Sequence, residues 1–259
     1  MSTGNGERAI RKVLTGVMEY RKIIRERMLQ QLKTIKNNPR PKAVFFTCMD
    51  SRMMATRFVQ AQAGDMFMVR NAGNLIPRAN TYGQYGAEVS ISTEPAAIEL
   101  GCVRGGIRHV IVCGHSDCKA MNTLHDLHIN LTKVDSNSPL ELWLRRNGVL
   151  SLEKLEKRMK NPGEPLVFMR ELPDYQFRAF IDTKSEWDVK DRLSQINCLQ
   201  QLENISTHSI IKEHIEKDLL VLNAMWFDVY QGDVYFFSKK QEKFVIIDET
   251  TINELLNEV

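Results

Sequence analysis

Between residues 7 and 36 the apolar side chains Ile10, Leu14, Val17, Ile24, Met28, Leu32 and Ile35 recur at three- and four-residue steps or their sums. That spacing predicts one long amphipathic helix or two consecutive ones. An arm of this length ahead of the first strand has little local core to lie on. Packing on a partner subunit is the expectation, with docking on its own domain as the competing one. Pro39 and Pro41 close the arm, because proline cannot continue a helix. The pattern then changes to short apolar runs. Residues 42–48 and 66–70 read as strands, and 93–103 as a helix with Thr93 as its cap and Pro95 in its first turn, ended by Gly105-Gly106. Residues 109–114 form a third strand, with a helix from about Asp117. Strands alternating with helices predict an α/β fold, a mostly parallel central sheet flanked by helices.

Past residue 131 the periodicity blurs. Residues 140–147 and 152–159 read as two helices, 161–185 carry little pattern, and 189–205 and 209–217 are helical again. The end is β-rich, with strands at 219–224, 226–230, 234–237 and 244–248 and a turn at 231–233. No repeat, low-complexity tract or linker divides the chain, so residues 1–259 are read as a single domain carrying the arm at 7–36.

Composition narrows the function classes. Hydrophobic residues make up 43% and charged residues 26% of the 259 residues, and the formal charge is +3. No basic stripe interleaved with aromatics argues for nucleic acid, and no run approaches the roughly 18 apolar residues of a membrane span. The N-terminus lacks a secretory layout, so an intracellular protein is expected. Arg8, Arg11, Lys12, Arg21 and Lys22 suit a mitochondrial address, whereas Glu7, Glu19 and Glu26 oppose one; matrix and cytosol both stay open. Cys48, Cys102, Cys113, Cys118 and Cys198 show no disulfide spacing, which points to a reducing compartment.

Candidate chemistry gathers at strand ends. Cys48 closes the first buried strand, and His115 and Cys118 follow the third. In a doubly wound sheet ligands sit beyond the carboxyl ends of strands, so these segments can meet. Two thiolates and an imidazole form a donor set suited to zinc, and three protein ligands leave a position for water. Core filling is the competing reading for the cysteines. The segment Cys48-Met-Asp50-Ser-Arg52 decides between them. Asp50 can accept a hydrogen bond from an attacking hydroxide and orient it. Arg52 can grip Asp50 bidentately and cancel its charge, although Asp-Ser-Arg is also compatible with an ordinary turn.

Cys48-x-Asp50-Ser51-Arg52, Arg70-Asn71-x-x-Asn74 and His115-Ser116-x-Cys118, with Glu99, Gly114, Gln195-Ile-Asn197 and the run from Trp226 to Asp233, resemble the β-class carbonic anhydrases, and the wording around Cys48 resembles their animal branch. The likeness spans about residues 40–128 and 190–249. It implies one Zn2+ per chain held by Cys48, His115 and Cys118, reversible hydration of carbon dioxide to bicarbonate, and a role in pH homeostasis. It also implies that Asp50 orients the hydroxide or enters as an alternative fourth ligand in a closed resting state, that Arg52 draws Asp50 off the metal, and that Phe67 is an aromatic wall of the substrate pocket. The implied assembly is a homodimer or larger even-numbered oligomer with the arm across the partner. A carbon disulfide or carbonyl sulfide hydrolase on the same fold, or a non-enzymatic zinc or bicarbonate sensor, are the rival functions.

The chain also departs from the family pattern. Pro39 stands where relatives carry a hydrogen-bonding glutamine, Leu100 where plant-type members have a pocket tyrosine, and Lys119-Ala120 where Gly-Gly follows the second cysteine. At the inhibitory bicarbonate site of some members the matching residues are Phe45, Arg70 and Phe227, so that switch is expected to be absent. His125 and His128 share a helix face and read as exposed polar residues; His109, His208 and His214 read as structural. Cys102, Cys113 and Cys198 read as core, and Met49, Met53 and Met54 as packing.

Overall fold

The computed structural model describes residues 3–79, 92–130, 135 and 137–259, with side chains from residue 8 onward. Its centre is a six-stranded sheet. Ala43–Cys48 (β1) is buried at every position, as its unbroken apolar run demands of a strand covered on both faces. Met66–Asn71 (β2) and His109–His115 (β3) flank it in parallel. Val221–Phe227 (β6) adds in parallel to β3, and Val234–Ser238 (β7) and Lys243–Ile246 (β8) continue antiparallel. The chain leaves β1 for β2 on one side and comes back to β3 on the other. The crevice beyond the carboxyl ends of β1 and β3 is therefore a topological switch point.

Nine α-helices surround the sheet among the described residues: α1 (Thr3–Ile23), α2 (Arg25–Ile35), α3 (Ala55–Phe58), α4 (Thr93–Ile98), α5 (Lys119–Ile129), α6 (Pro139–Lys160), α7 (Val189–Ser206), α8 (Ser209–Glu216) and α9 (Ile252–Leu256). The predicted arm is two helices, broken at Ile24, and α2 buries none of its residues. Ser92 rather than Thr93 precedes α4, which widens into a π turn over Glu99–Arg104. The helix expected from Asp117 starts two residues later, with Cys118 at its N-cap.

Three differences from the sequence pattern have physical reasons. The two helices expected at 140–147 and 152–159 are the single α6, which runs through Gly148. A Cβ there would stand 2.3 Å from Leu124 Cδ2, so this glycine permits close packing of α6 on α5 rather than ending a helix. The strands expected at 219–224 and 226–230 are the one strand β6, held in register with β3 from His109↔Val221 to His115↔Phe227. Within 161–185 lie Leu166–Phe168 (β4) and Phe177–Ala179 (β5), a short antiparallel pair whose outer positions stack Phe168 on Phe177 at 5.3 Å.

Helix α7 is buried from Leu193 to Ser206 although much of it is polar. Its amides hold a strap of chain that follows β2. Asn197 Nδ2 donates to Gly73 O at 3.0 Å, Asn204 Nδ2 to Ile76 O at 2.9 Å, and Gln201 Oε1 accepts from the Ile76 amide at 2.7 Å. Buried polar groups need such partners, and this network fixes the strap beside the crevice.

Candidate metal centre

At the switch point β1 ends in Cys48 and β3 in His115, and the tight turn after β3 delivers Cys118. The three ligand atoms lie within 4.8 Å of one another, and all three residues are buried. The two sulfurs are 3.8 Å apart. His115 is oriented by its own loop: Nδ1 lies 2.7 Å from the Ser116 carbonyl. A carbonyl only accepts, so Nδ1 carries the hydrogen and Nε2 the lone pair. Nε2 is fully buried and has no hydrogen-bond partner among the described residues. A buried acceptor without a donor is costly; a cation between Nε2 and the two sulfurs satisfies it. The donor set and this orphaned nitrogen fit Zn2+.

The surrounding frame keeps these loops still. Ser194 Oγ donates to His115 O at 2.7 Å and accepts from Trp226 Nε1 at 3.1 Å. Ser116 Oγ donates to Asp228 Oδ1 at 2.8 Å. Gly114 lets α7 approach here, since a Cβ would come within 2.4 Å of Cys198 Sγ. Arg70 braces the other loop, donating from Nε to Cys48 O at 3.2 Å and from Nη2 to Asp50 O at 2.7 Å.

Without a cation the thiols are unequal. Cys48 is held down at about 4, chiefly by a hydrogen bond from Cys118 and, against the cost of burial, by the amides of Asp50 and Gly73. Cys118 is pushed up by the neighbouring Cys48 sulfur and by burial. Two adjacent thiolates repel, and a divalent cation removes that repulsion.

Asp50 lies at the rim, with Oδ2 4.0 Å from His115 Nε2. Arg52 grips it bidentately, Nε to Oδ1 at 3.0 Å and Nη2 to Oδ2 at 2.7 Å, and the Arg52 amide adds a bond at 2.9 Å. The guanidinium contacts hold the Asp50 carboxyl down at about 2. The other side of Arg52 is bound by Asp117, a residue the sequence reading passed over. Its position between His115 and Cys118 was the available signal.

Phe67 is not brought to this centre within the chain. It stands four residues before Asn71, the β2 partner of Cys48, so ~13 Å down an edge strand at ~3.3 Å per residue. Its ring lies against Gly101 and is 39% exposed. Leu100 beside it is exposed too. Cys102, Cys113 and Cys198 are buried in the core. Met53 is buried, whereas Met49 and Met54 are exposed at the surface. His125 is half-buried rather than exposed, whereas His128 pairs with Glu156 at 2.9 Å. His109 is exposed, His208 is buried against Pro77 O, and Phe227 stacks on Phe58 at 4.9 Å.

Comparison with known proteins places this geometry in context. A family model described as carbonic anhydrase matches residues 43–234. Beta carbonic anhydrase 1 of Caenorhabditis elegans is 51% identical over 249 residues, covering 96% of this chain and 92% of the relative. A carbonic anhydrase of Helicobacter pylori strain J99 is 26% identical over 94% of this chain and 97% of its own. Among solved structures, the β-carbonic anhydrase CcaA aligns with a TM-score of 0.71 at 24% identity over 93% of both chains. A tetrameric β-carbonic anhydrase from Sordaria macrospora aligns at 0.63 and 18% identity over 89% of this chain and 98% of that one. At these identities the two structures speak to the fold alone.

Proposed function

The chain belongs to the β-class carbonic anhydrase family, and on that premise we propose that it hydrates carbon dioxide reversibly through Zn2+ held by Cys48, His115 and Cys118. The bound ion supplies Lewis acidity that ionises water near neutral pH. Everything else falls to the chain's own groups. His115 Nε2, fixed as an acceptor by the Nδ1–H bond to Ser116, presents its lone pair without tautomer exchange. Asp50 accepts a hydrogen bond from the reacting hydroxide and turns its attacking lone pair toward the carbon of carbon dioxide. Arg52 neutralises Asp50, which lowers the repulsion between carboxylate and hydroxide. A proton released at the crevice passes to solvent buffer.

Two further assignments concern assembly. We propose that the chain works as an even-numbered homo-oligomer, and that Phe67 and Leu100, set away from the chain's own centre on the β2 side, wall the site of a second copy. The apolar carbon dioxide suits such a wall. The N-terminal arm, whose apolar face is uncovered, packs on that second copy.

The observation that carries the function is a buried Cys48–His115–Cys118 triad with its one free imidazole nitrogen, beside an arginine-gripped aspartate. Metal analysis with stopped-flow hydration over pH ~6.5 to ~9 tests it. About one zinc per chain and clear hydration are expected. Asp50→Asn should lose on the order of 10²-fold in kcat/KM with its zinc retained. Zinc-loaded protein that hydrates carbon dioxide no faster than buffer ends the reading.

A further inference from the structure

Arg52 serves two carboxylates, not one. Its Nε and Nη2 hold Asp50, while Nη1 donates to Asp117 Oδ2 at 2.8 Å and Nη2 to Asp117 O at 2.9 Å. Asp50 and Arg52 are two residues apart in one loop, so their pairing alone cannot fix that loop against the other. Asp117 sits between His115 and Cys118. A single guanidinium therefore ties the loop bearing Cys48 to the loop bearing the other two ligands.

Asp117 is itself immobilised to an extent that an ordinary turn residue is not. Its backbone is in the left-handed region at φ 48°, a conformation aspartate enters more readily than most residues but still at some cost. The buried-side partner is Asp191 on α7, whose Oδ1 accepts the Asp117 amide at 2.7 Å. Three further donors converge on the Asp117 carboxylate: Lys119 Nζ at 2.8 Å, Asn122 Nδ2 at 3.1 Å and Tyr230 Oη at 2.8 Å. Tyr230 belongs to the turn after β6 that Ser116 anchors through Asp228. With Arg52 added, the carboxylate accepts from four side chains on three segments.

We propose that Asp117 is a positioning residue that clamps Arg52 from the side away from Asp50 and so keeps Asp50 at the rim of the metal site. Arg52 cannot follow its carboxylate partner inward while Asp117 holds it. Freed of that clamp, the Asp50–Arg52 pair moves as a unit, and Asp50, already 4.0 Å from His115 Nε2, is drawn onto the cation. There it occupies the position that the reacting water needs. The inference rests on the zinc reading above.

The test compares the native chain, Asp117→Asn, Asp117→Gly, Asp50→Asn and the Asp50→Asn/Asp117→Asn double variant, each loaded with zinc or with cobalt(II). Asn keeps the shape and accepts the left-handed backbone but removes the charge; Gly takes φ 48° freely and removes the side chain. Both single Asp117 variants should lose on the order of 10-fold in kcat per bound zinc with little change in KM. Their cobalt d–d bands should shift from native while the thiolate charge-transfer bands persist, since a carboxylate has joined the two sulfurs and the imidazole. In the Asp50→Asn background the Asp117→Asn change should cost less than 2-fold, because the residue acts through Asp50. Native kcat per metal with native cobalt bands in the Asp117 variants overturns the proposal. So does a loss explained wholly by lower metal content, which marks a structural brace, or a loss that multiplies in full with Asp50→Asn. If the native chain binds no cobalt, the zinc reading itself has failed, and the clamp with it.

Discussion

At the scale of single residues, the chemistry depends on charge held still. Asp50 is only 12% exposed at its side chain, and its carboxyl lies at about 2 instead of 3.8, chiefly through the Arg52 hydrogen bond. A depressed carboxyl stabilises the folded state above its ordinary value and loses that contribution as pH falls through the folded value. In the metal-free protein this amounts to about 2 kcal/mol, present above pH ~4 and gone below pH ~2. Denaturant titrations across that window should show the native chain losing about this much more than Asp50→Asn; parallel curves would refute the assignment. Cys48, His115, Cys118, Asp50 and Arg52 were all legible in the sequence because each belongs to a short local motif. Asp117 was not, since its partners Arg52, Asp191 and Tyr230 come from distant segments and only folding joins them. Phe67 was legible as an aromatic position, but its distance from the chain's own centre was not, because motif matching carries no strand geometry.

At the scale of elements, the site is built by close approach. Gly114 lies one residue before His115, and the missing side chain is where Cys198 of α7 rests. Gly114→Ala should force α7 outward, costing about 1–3 kcal/mol of stability by overpacking. The Ser194 bond to the His115 carbonyl loosens as well, so zinc affinity should fall along with the melting temperature. A variant with native melting temperature and native zinc affinity would show that the contact relaxes freely. The same physics explains which elements the sequence revealed. Strands β1 and β3 are apolar runs bounded by breakers and stand out at once. Gly148 reads as an interruption of α6, yet its absent Cβ accommodates Leu124. Helix α7 was legible as a helix at 189–205, but its burial from Leu193 to Ser206 was not, because its polar residues are buried and mutually satisfied, an arrangement that leaves no apolar face to mark the core side. The short α9 carries too few turns for any pattern to reveal it.

At the scale of the whole molecule, the arm is the conspicuous unfinished surface. Ile10, Val13, Leu14, Val17 and Met18 are all exposed on α1, a clustered apolar face of the kind that marks an interface. With Phe67 and Leu100 exposed on the β2 side, the proposal that a second copy covers these surfaces has a direct consequence. Leu14→Glu combined with Val17→Glu should shift the sedimenting species toward monomer; an unchanged oligomer would remove the arm from the interface. The chemistry itself, however, turns on one ion held by three side chains. X-ray absorption at the zinc edge of the purified protein tests it most directly. We predict two sulfur neighbours at about 2.3 Å and one imidazole nitrogen at about 2.0–2.1 Å, with one further light-atom ligand. A zinc shell containing no sulfur, or protein that retains no zinc, would contradict it.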